Sequence, residues 1–326
     1  MDFSRPHRRL DDLPFLGLAL ALGCGLFFPE WFASSYGLTG ILLQFIFFTS
    51  GLRIDMRTML SESRDLKLFV AVGLLRLAVF PLFVYFLAGW LFPSMLIPLV
   101  LLAAMPAGMT SPLFVDMVRG NVPLSLFLTA GTSLLSVVTL PIVLGLLGGG
   151  AMAYAPGAMF HTLFFIMAMP LAAAQAVRFF PIGQLAVHRG ESLLRFSSVL
   201  VLWLLIATIA AKHSAAIRGS FIESEVFLSF FVMAALLALF HFAAYFACFW
   251  RSKKDRVTVT LSLSYMNFTL AIFLAETFFR DPTAVLVVIL SMLPWNIGLI
   301  FFQWLVRYNG WMIGENIEKK KPAFAG

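Results

Sequence analysis

The 326-residue chain has little charge: Asp, Glu, Lys and Arg make up only 12% of it, against 61% hydrophobic residues. With a mean hydropathy of +0.94, that scarcity excludes an ordinary soluble domain. Cysteine is nearly absent too. Cys24 and Cys248 lie far apart in apolar runs without metal-ligand spacing, so they read as small core residues, not as a redox pair. His161 and His241 are single imidazoles in long apolar runs and read as hydrogen-bonded core histidines. No HExxH, no GxSG and no paired intramembrane aspartates occur, so the chain reads as no enzyme. A cleavage site of small residues is also missing after the first apolar run. Arg8-Arg9 precede that run, but Asp11 and Asp12 intervene, so it reads as a first membrane span and not as a signal peptide.

What the chain has in abundance is hydrophobic runs. Ten of them, each of about 20 residues, fall at 13–32, 37–53, 67–92, 97–118, 122–146, 157–179, 193–211, 224–250, 256–279 and 283–306. The cations test this count. With both termini cytoplasmic, nineteen of the 23 lysines and arginines lie on the cytoplasmic side, among them Arg5, Arg8, Arg9, Arg53, Arg57, Arg64, Lys67, Arg251, Lys253, Lys254 and Lys319 to Lys321. Only Lys212, Arg218 and Arg280 lie opposite, and Arg76 remains inside a span. This positive-inside asymmetry is lost if one span is added or removed. The net charge of +7 therefore reflects topology and anionic lipid, not nucleic acid. The expected protein is an integral, multi-pass protein of the inner or plasma membrane, with residues 307–326 as a cytoplasmic tail.

Two spans are interrupted. The fourth contains Met105-Pro106-Ala107-Gly108-Met109-Thr110-Ser111-Pro112, and the ninth contains Ser262-Leu263-Ser264-Tyr265-Met266-Asn267-Phe268-Thr269. Proline removes a backbone donor and clashes with the preceding turn, so the fourth span breaks near its middle. Irregular backbone at membrane depth is tolerated only where protein buries it or a wet cavity meets it. Paired interruptions in two halves of a chain point to a transporter's binding site. Ser111 and Asn267 stand 156 residues apart, and Pro141 and Pro294, in the spans that follow, stand 153 apart. Five spans per half then require inversion, with 13–146 and 157–306 as repeats of a single domain and the two breaks face to face.

At these residues the chain resembles the bile acid:sodium symporter family over nearly its whole length. Phe48-Thr49-Ser50-Gly51-Leu52 is similar to the family's second-span turn, and Gly73 to Pro81 resembles its third-span segment. Pro106 to Pro112 with Arg119-Gly120-Asn121-Val122-Pro123-Leu124-Ser125, and Tyr265-Met266-Asn267, resemble its two breaks. The resemblance implies an all-α fold of ten transmembrane helices in two inverted five-helix repeats. A four-helix panel accompanies a six-helix core in which helices 4 and 9 are broken and cross. It also implies uptake of organic anions coupled to sodium.

The departures bear on that coupling. Members with sodium sites carry an acidic residue and a Gln where Ser262 and Met266 stand here, an Asn in place of Pro112, and a Gln in place of Arg76. Ser111, Thr129, Ser133 and Asn267 are retained or conservatively changed, so Ser111, Thr129, Ser133, Ser262 and Met266 read as the remnant of an ion site. A guanidinium ~5 Å from that site would repel sodium by about 3 kcal/mol at an effective dielectric near 20. A charge at mid-bilayer itself costs roughly 2.5–3.5 kcal/mol, so such residues usually face a cavity. Arg76 reads as a fixed replacement for sodium or as a ligand of an anionic substrate; the plain alternative is that it braces carbonyls freed by a break.

The expected substrate site is Arg76, Thr110, Ser111, Asn267 and Thr269, with Thr132 and Ser264 as flanking hydroxyls. Asp116 and Glu276, toward the ends of their spans, are candidates for carrying a coupled proton or for pairing with nearby cations. No cofactor or metal is expected; sodium and proton both stay open as the coupling ion. The function that follows is secondary active transport of a small organic anion by alternating access, with weak or absent sodium coupling. An auxin-efflux-type carrier and a non-transporting membrane sensor are the alternatives. An arsenite-type carrier is excluded because the broken fourth span lacks cysteine.

Overall fold

The computed structural model describes residues 13–55, 66–147, 156–220, 224–279 and 282–308. The N-terminal arginines, Arg57, Arg64, the turn Arg280-Asp281 and the expected tail beyond Tyr308 lie outside the described residues. The described residues are helical, and their only β-type pairing is one isolated bridge. In chain order the helices are α1 (Leu13–Phe27), α2 (Thr39–Arg53), α3 (Leu66–Leu91), α4 (Leu96–Ala104), α5 (Ser111–Met117), α6 (Val122–Leu147) and α7 (Pro156–Phe179). There follow α8 (Pro181–Lys212), α9 (Ser214–Ser220), α10 (Ser224–Ala247), α11 (Lys253–Ser264), α12 (Phe268–Phe279) and α13 (Pro282–Tyr308). A 3-10 run, Pro29–Leu38, joins α1 to α2.

Among the described residues six helical stretches are long and apolar enough to cross a membrane, so this is an all-α integral membrane protein. Its outward faces are apolar as well: Phe86, Trp90, Leu146 and Phe231 are all more than half exposed, which is what lipid accepts and water does not. Helix α8 starts earlier than the expected seventh span. It begins at Pro181, where a proline in the first turn costs no hydrogen bond, and it runs for 32 residues. Its first turns carry the exposed Gln184, His188, Arg189 and Glu191, so the expected loop before residue 193 is a polar extension of the helix.

The chain forms two compact units, and each draws on both halves of the sequence. The first contains α1, α2, α7, α8, α9 and most of α12. In it α2 ends against α7, which supplies the hydrogen bonds that the last carbonyls of α2 lack. Gln175 Nε2 donates to Gly51 O at 2.8 Å, and Arg178 donates to Leu52 O at 2.7 Å. Ser198 of α8 donates to Thr49 Oγ1 at 2.8 Å, and Lys212 pairs with the buried carboxylate of Glu276.

The second unit contains α3 to α6, α10, α11 and most of α13. Its core includes Leu68 and Val72 of α3, Leu124, Phe127 and Leu128 of α6, Ala244 and Cys248 at the end of α10, and Val259 and Leu263 of α11. The turn from α5 to α6 closes in a Schellman arrangement, in which Arg119 N donates to Asp116 O and Gly120 N donates to Val115 O. Arg119, at φ 56°, takes the left-handed position usually given to glycine. The glycine comes next, where a β-carbon would lie 2.6 Å from Val115 Cγ1 and 2.8 Å from Thr258 Oγ1. Asn121 then binds this turn to α11, its N–H to Thr258 Oγ1 at 2.8 Å and its side chain to Asp255 at 3.2 Å.

Within the second unit α4 stops at Ala104, and helix resumes only at Ser111. α11 stops at Ser264, and helix resumes at Phe268. The two extended stretches run antiparallel and bridge at Ala107 and Met266. Gly108 lies so close to its partner strand that a β-carbon would stand 2.7 Å from Met266 O. Replacing Gly108 with alanine should destabilise the protein by roughly 1–3 kcal/mol, the cost of forcing a methyl into a packed interior. Thermal unfolding in detergent checks this, with a clearly lower midpoint expected than for the unaltered chain.

Candidate functional site

The site is built from backbone first. Pro106 has no N–H, and helix α4 leaves its last carbonyls without intrahelical donors. The second break supplies what the first lacks. Asn267 N donates to Pro106 O at 3.0 Å, Gly108 N donates to Tyr265 O at 2.7 Å, and Ser111 Oγ donates to the same Tyr265 O at 3.3 Å. Thr132 of α6 accepts from Ala107 N at 3.2 Å while donating to Leu128 O in its own helix. Tyr265 and Trp295 lock the second break from α13: the phenol donates to Trp295 O at 3.3 Å, and the indole N–H donates to Ser264 O.

Ser111 and Asn267 are therefore brought together, both buried, at the exchange between the two breaks. Thr110 is exposed and Asp116 is exposed. Thr269 and Glu276 belong to the first unit, where Glu276 has Lys212 as its ion-pair partner. Of the residues read as an ion-site remnant, Ser262 is committed to Ser125 at 2.8 Å, and Met266 is buried beside the bridge. Thr129 and Ser133 lie one turn apart on α6, and neither buried hydroxyl has a hydrogen-bond partner among the described residues. The Ser264 hydroxyl shares that condition.

Arg76 has the most unusual surroundings. It lies in a π-helical turn of α3, Leu75–Val79, which packs against α4 and α6. Wide turns of this kind are rare and concentrate at functional sites. The side chain is wholly buried, and none of its three guanidinium nitrogens has a hydrogen-bond partner among the described residues. Among the described residues its charge-directed contact is with the ring of Phe240, whose centroid lies 5.7 Å from Cζ. Phe240 in turn stacks on Phe80 at 4.5 Å, one turn beyond Arg76. A desolvated cation–π contact contributes about 2 kcal/mol, whereas burying an ion costs several. The remaining donors suit an acceptor carrying negative charge.

Sequence reasoning missed Phe240, Tyr265, Trp295 and Ser125 as the groups that hold the site in place. An aromatic residue in an apolar span carries no mark that separates packing from positioning. Pro294 beside Trp295 was the available signal, since it sits where α13 passes the second break. His241 Nδ1 donates to Leu237 O at 2.8 Å, and the ring packs edge-on against Tyr265, as expected of a core histidine. Cys24 and Cys248 form no disulfide, and among the described residues no group of three ligating side chains could hold a metal.

Long apolar helices, two of them interrupted where backbone exchanges hydrogen bonds, and a buried cation beside them define a multi-pass α-helical membrane transport protein. The chain belongs to the SBF-like CPA transporter family, which it matches over residues 13–308. None of the curated proteins compared with it matches.

The buried Ser125–Ser262 bond lends itself to a double-mutant cycle. Changing each serine to alanine, singly and together, should give a coupling of about 0.6 kcal/mol, the usual size for hydroxyl bonds between membrane helices. Unfolding free energies of the four proteins in detergent check it.

Proposed function

We propose that this transporter carries a small organic anion by alternating access without needing sodium, and that Arg76 supplies the positive charge an ion would otherwise bring. One observation carries the reading: a guanidinium wholly buried in a π-helical turn, with no hydrogen-bond partner among the described residues. Sodium requires several hard oxygen ligands, and the Met266 side chain offers none, while the Ser262 hydroxyl is taken by Ser125. Ser111 and Asn267, at the exchange between the breaks, supply polar groups for the substrate. The same reading takes the chain as ten spans in two inverted five-helix repeats, with both termini cytoplasmic. It places Thr110 and Thr269 at the edge of the substrate path. Glu276, through its ion pair with Lys212, is the better candidate for a coupled proton than the exposed Asp116. An auxin-efflux-type carrier fits the same broken spans and the same lack of sodium, and is set apart by its substrate. A non-transporting sensor is set apart by having no saturable counterflow.

The first test needs no known substrate, because a ligand of the folded state raises its stability by mass action. Thermal unfolding in sodium chloride and in potassium chloride at equal ionic strength should coincide; a sodium-specific rise of several degrees would overturn the proposal. Arg76→Gln should lower anion affinity at least about tenfold, the loss of one charge-assisted contact of 1.5–3 kcal/mol, or confer a response to sodium. Asn267→Ala should abolish transport. Unchanged uptake in both variants would remove these residues from the site.

A further inference from the structure

A second charged constellation lies at the polar end of the second unit and contains none of the candidate substrate or ion-site residues. It is formed by the start of α3, the end of α10 and the start of α11, which meet on the shared apolar core of Leu68, Val72, Ala244, Cys248 and Val259. Lys67 immediately precedes the first of these residues, and Trp250 to Arg256 follow Cys248. Lys67 Nζ stands 5.3 Å from the centre of the Trp250 ring. Arg256 lies flat on Tyr245, 3.9 Å from its centre, and donates through Nε to Tyr245 O at 3.1 Å. Arg251 pairs with Asp255 at 2.8 Å.

The balance of charge is one-sided. Five cations, Lys67, Arg251, Lys253, Lys254 and Arg256, stand with a single carboxylate, Asp255, in these segments. Both oxygens of that carboxylate are engaged, one by Arg251 and the other by Asn121. Lys67, Lys253 and Lys254 are exposed, and none has an ion pair among the described residues. Their surroundings are those of a membrane boundary: Phe249 is 73% and Trp250 41% exposed, at the point where the apolar α10 gives way to a polar run. Exposed aromatic rings beside cations are characteristic of headgroup level, and basic clusters between the ends of membrane helices bind anionic headgroups.

We propose that this surface is a binding site for an anionic phospholipid of the surrounding leaflet. The phosphate is held between Lys67 and the pair Lys253–Lys254, and the upper acyl chain lies against Trp250 and Phe249. Charge complementarity carries the assignment: the three lysines are exposed and have no ion pair among the described residues, and Lys67 reaches the ring of Trp250, three residues before Lys253. The aromatic rings select a lipid over a free anion, because they offer apolar area that only an acyl chain can cover. The lipid would tie α3, α10 and α11 together at the start of the helix that leads to the second break, and so stabilise the unit that contains Arg76. The site stands whether or not the anion-carrier reading of Arg76 holds.

Thermal unfolding of the detergent-purified full chain, titrated with phosphatidylglycerol or with phosphatidylcholine, tests this. Phosphatidylglycerol alone should raise the midpoint, and the rise should shrink as salt is added. Each lysine removed should weaken the response about fivefold, from roughly 1 kcal/mol per cation near the surface. The triple change of Lys67, Lys253 and Lys254 to glutamine should weaken it about a hundredfold, while their change to arginine keeps it. Native mass spectrometry of the same variants reads bound lipid directly and separates a lost site from a damaged fold. Equal responses to the two lipids, or a full response in the glutamine variant, overturn the proposal. A rise with inorganic phosphate alone that matches phosphatidylglycerol also overturns it, since that marks a free-anion site.

Discussion

The second unit depends on a short exchange of backbone hydrogen bonds between two segments that are more than 150 residues apart. Gly108 and Tyr265, and Asn267 and Pro106, satisfy one another where neither α4 nor α11 can continue. In water such a break would be filled by solvent, and it would cost little. In a bilayer an unpaired carbonyl or amide costs several kcal/mol, so neither break is stable without the other. The surrounding side chains reinforce this pairing: Thr132 reaches it from α6, Trp295 of α13 bonds to Ser264 and Tyr265 at its edge, and Ser125 binds Ser262 just before it. Glycine at 108 follows directly, because the two backbones come too close for a β-carbon.

Part of this was legible in the sequence because proline and polar residues inside apolar runs have few structural explanations. Pro106, Pro112 and Asn267 located the interruptions, and the apolar composition fixed an all-helical membrane protein. The polar start of α8 was not legible. Its residues are ordinary helix formers in a segment too charged to cross a lipid layer, and hydropathy alone cannot tell a helix in water from a loop. The π-helical turns were likewise missed, although a signal existed. Leu75–Val79 ends two residues before Pro81, and Phe164–Ala168 ends two residues before Pro170. A proline ring clashes with the carbonyl four residues earlier, which in these helices is that of Leu77 and of Ile166. Widening the turn moves that carbonyl aside without breaking the helix. At Pro81 and Pro170 the proline thus accompanies a wide turn, whereas Pro141 and Pro294 lie inside continuous α-helix.

The candidate site was legible as residue types but not as geometry. Arg76 drew notice because a cation in an apolar run is costly wherever it sits. That it lies in a wide turn over Phe240 depends on Pro81 and on a ring from α10, neither of which its own neighbours announce. Ser262 shows the opposite case. As a residue near the second break it read as part of an ion-site remnant, and in the structure its hydroxyl is already bound to Ser125. Thr110 reads as a site residue by its place beside Ser111, yet a helix restarting at 111 leaves it exposed. Neighbours in sequence at a break part company as soon as the helix resumes.

Arginine is the basic side chain whose charge proteins do not switch off, and Arg76 is wholly buried, out of the reach of dissolved salt. Its positive potential is therefore a permanent part of the protein. On the reading that it stands in for sodium, no sodium accompanies the cargo across, and only a coupled proton could offset the charge that the cargo carries. Each elementary charge moved is worth about 2.3 kcal/mol per 100 mV of membrane potential. The direction of flow would then follow the voltage across the membrane and the gradient of the anion itself, with no sodium gradient to pull against them.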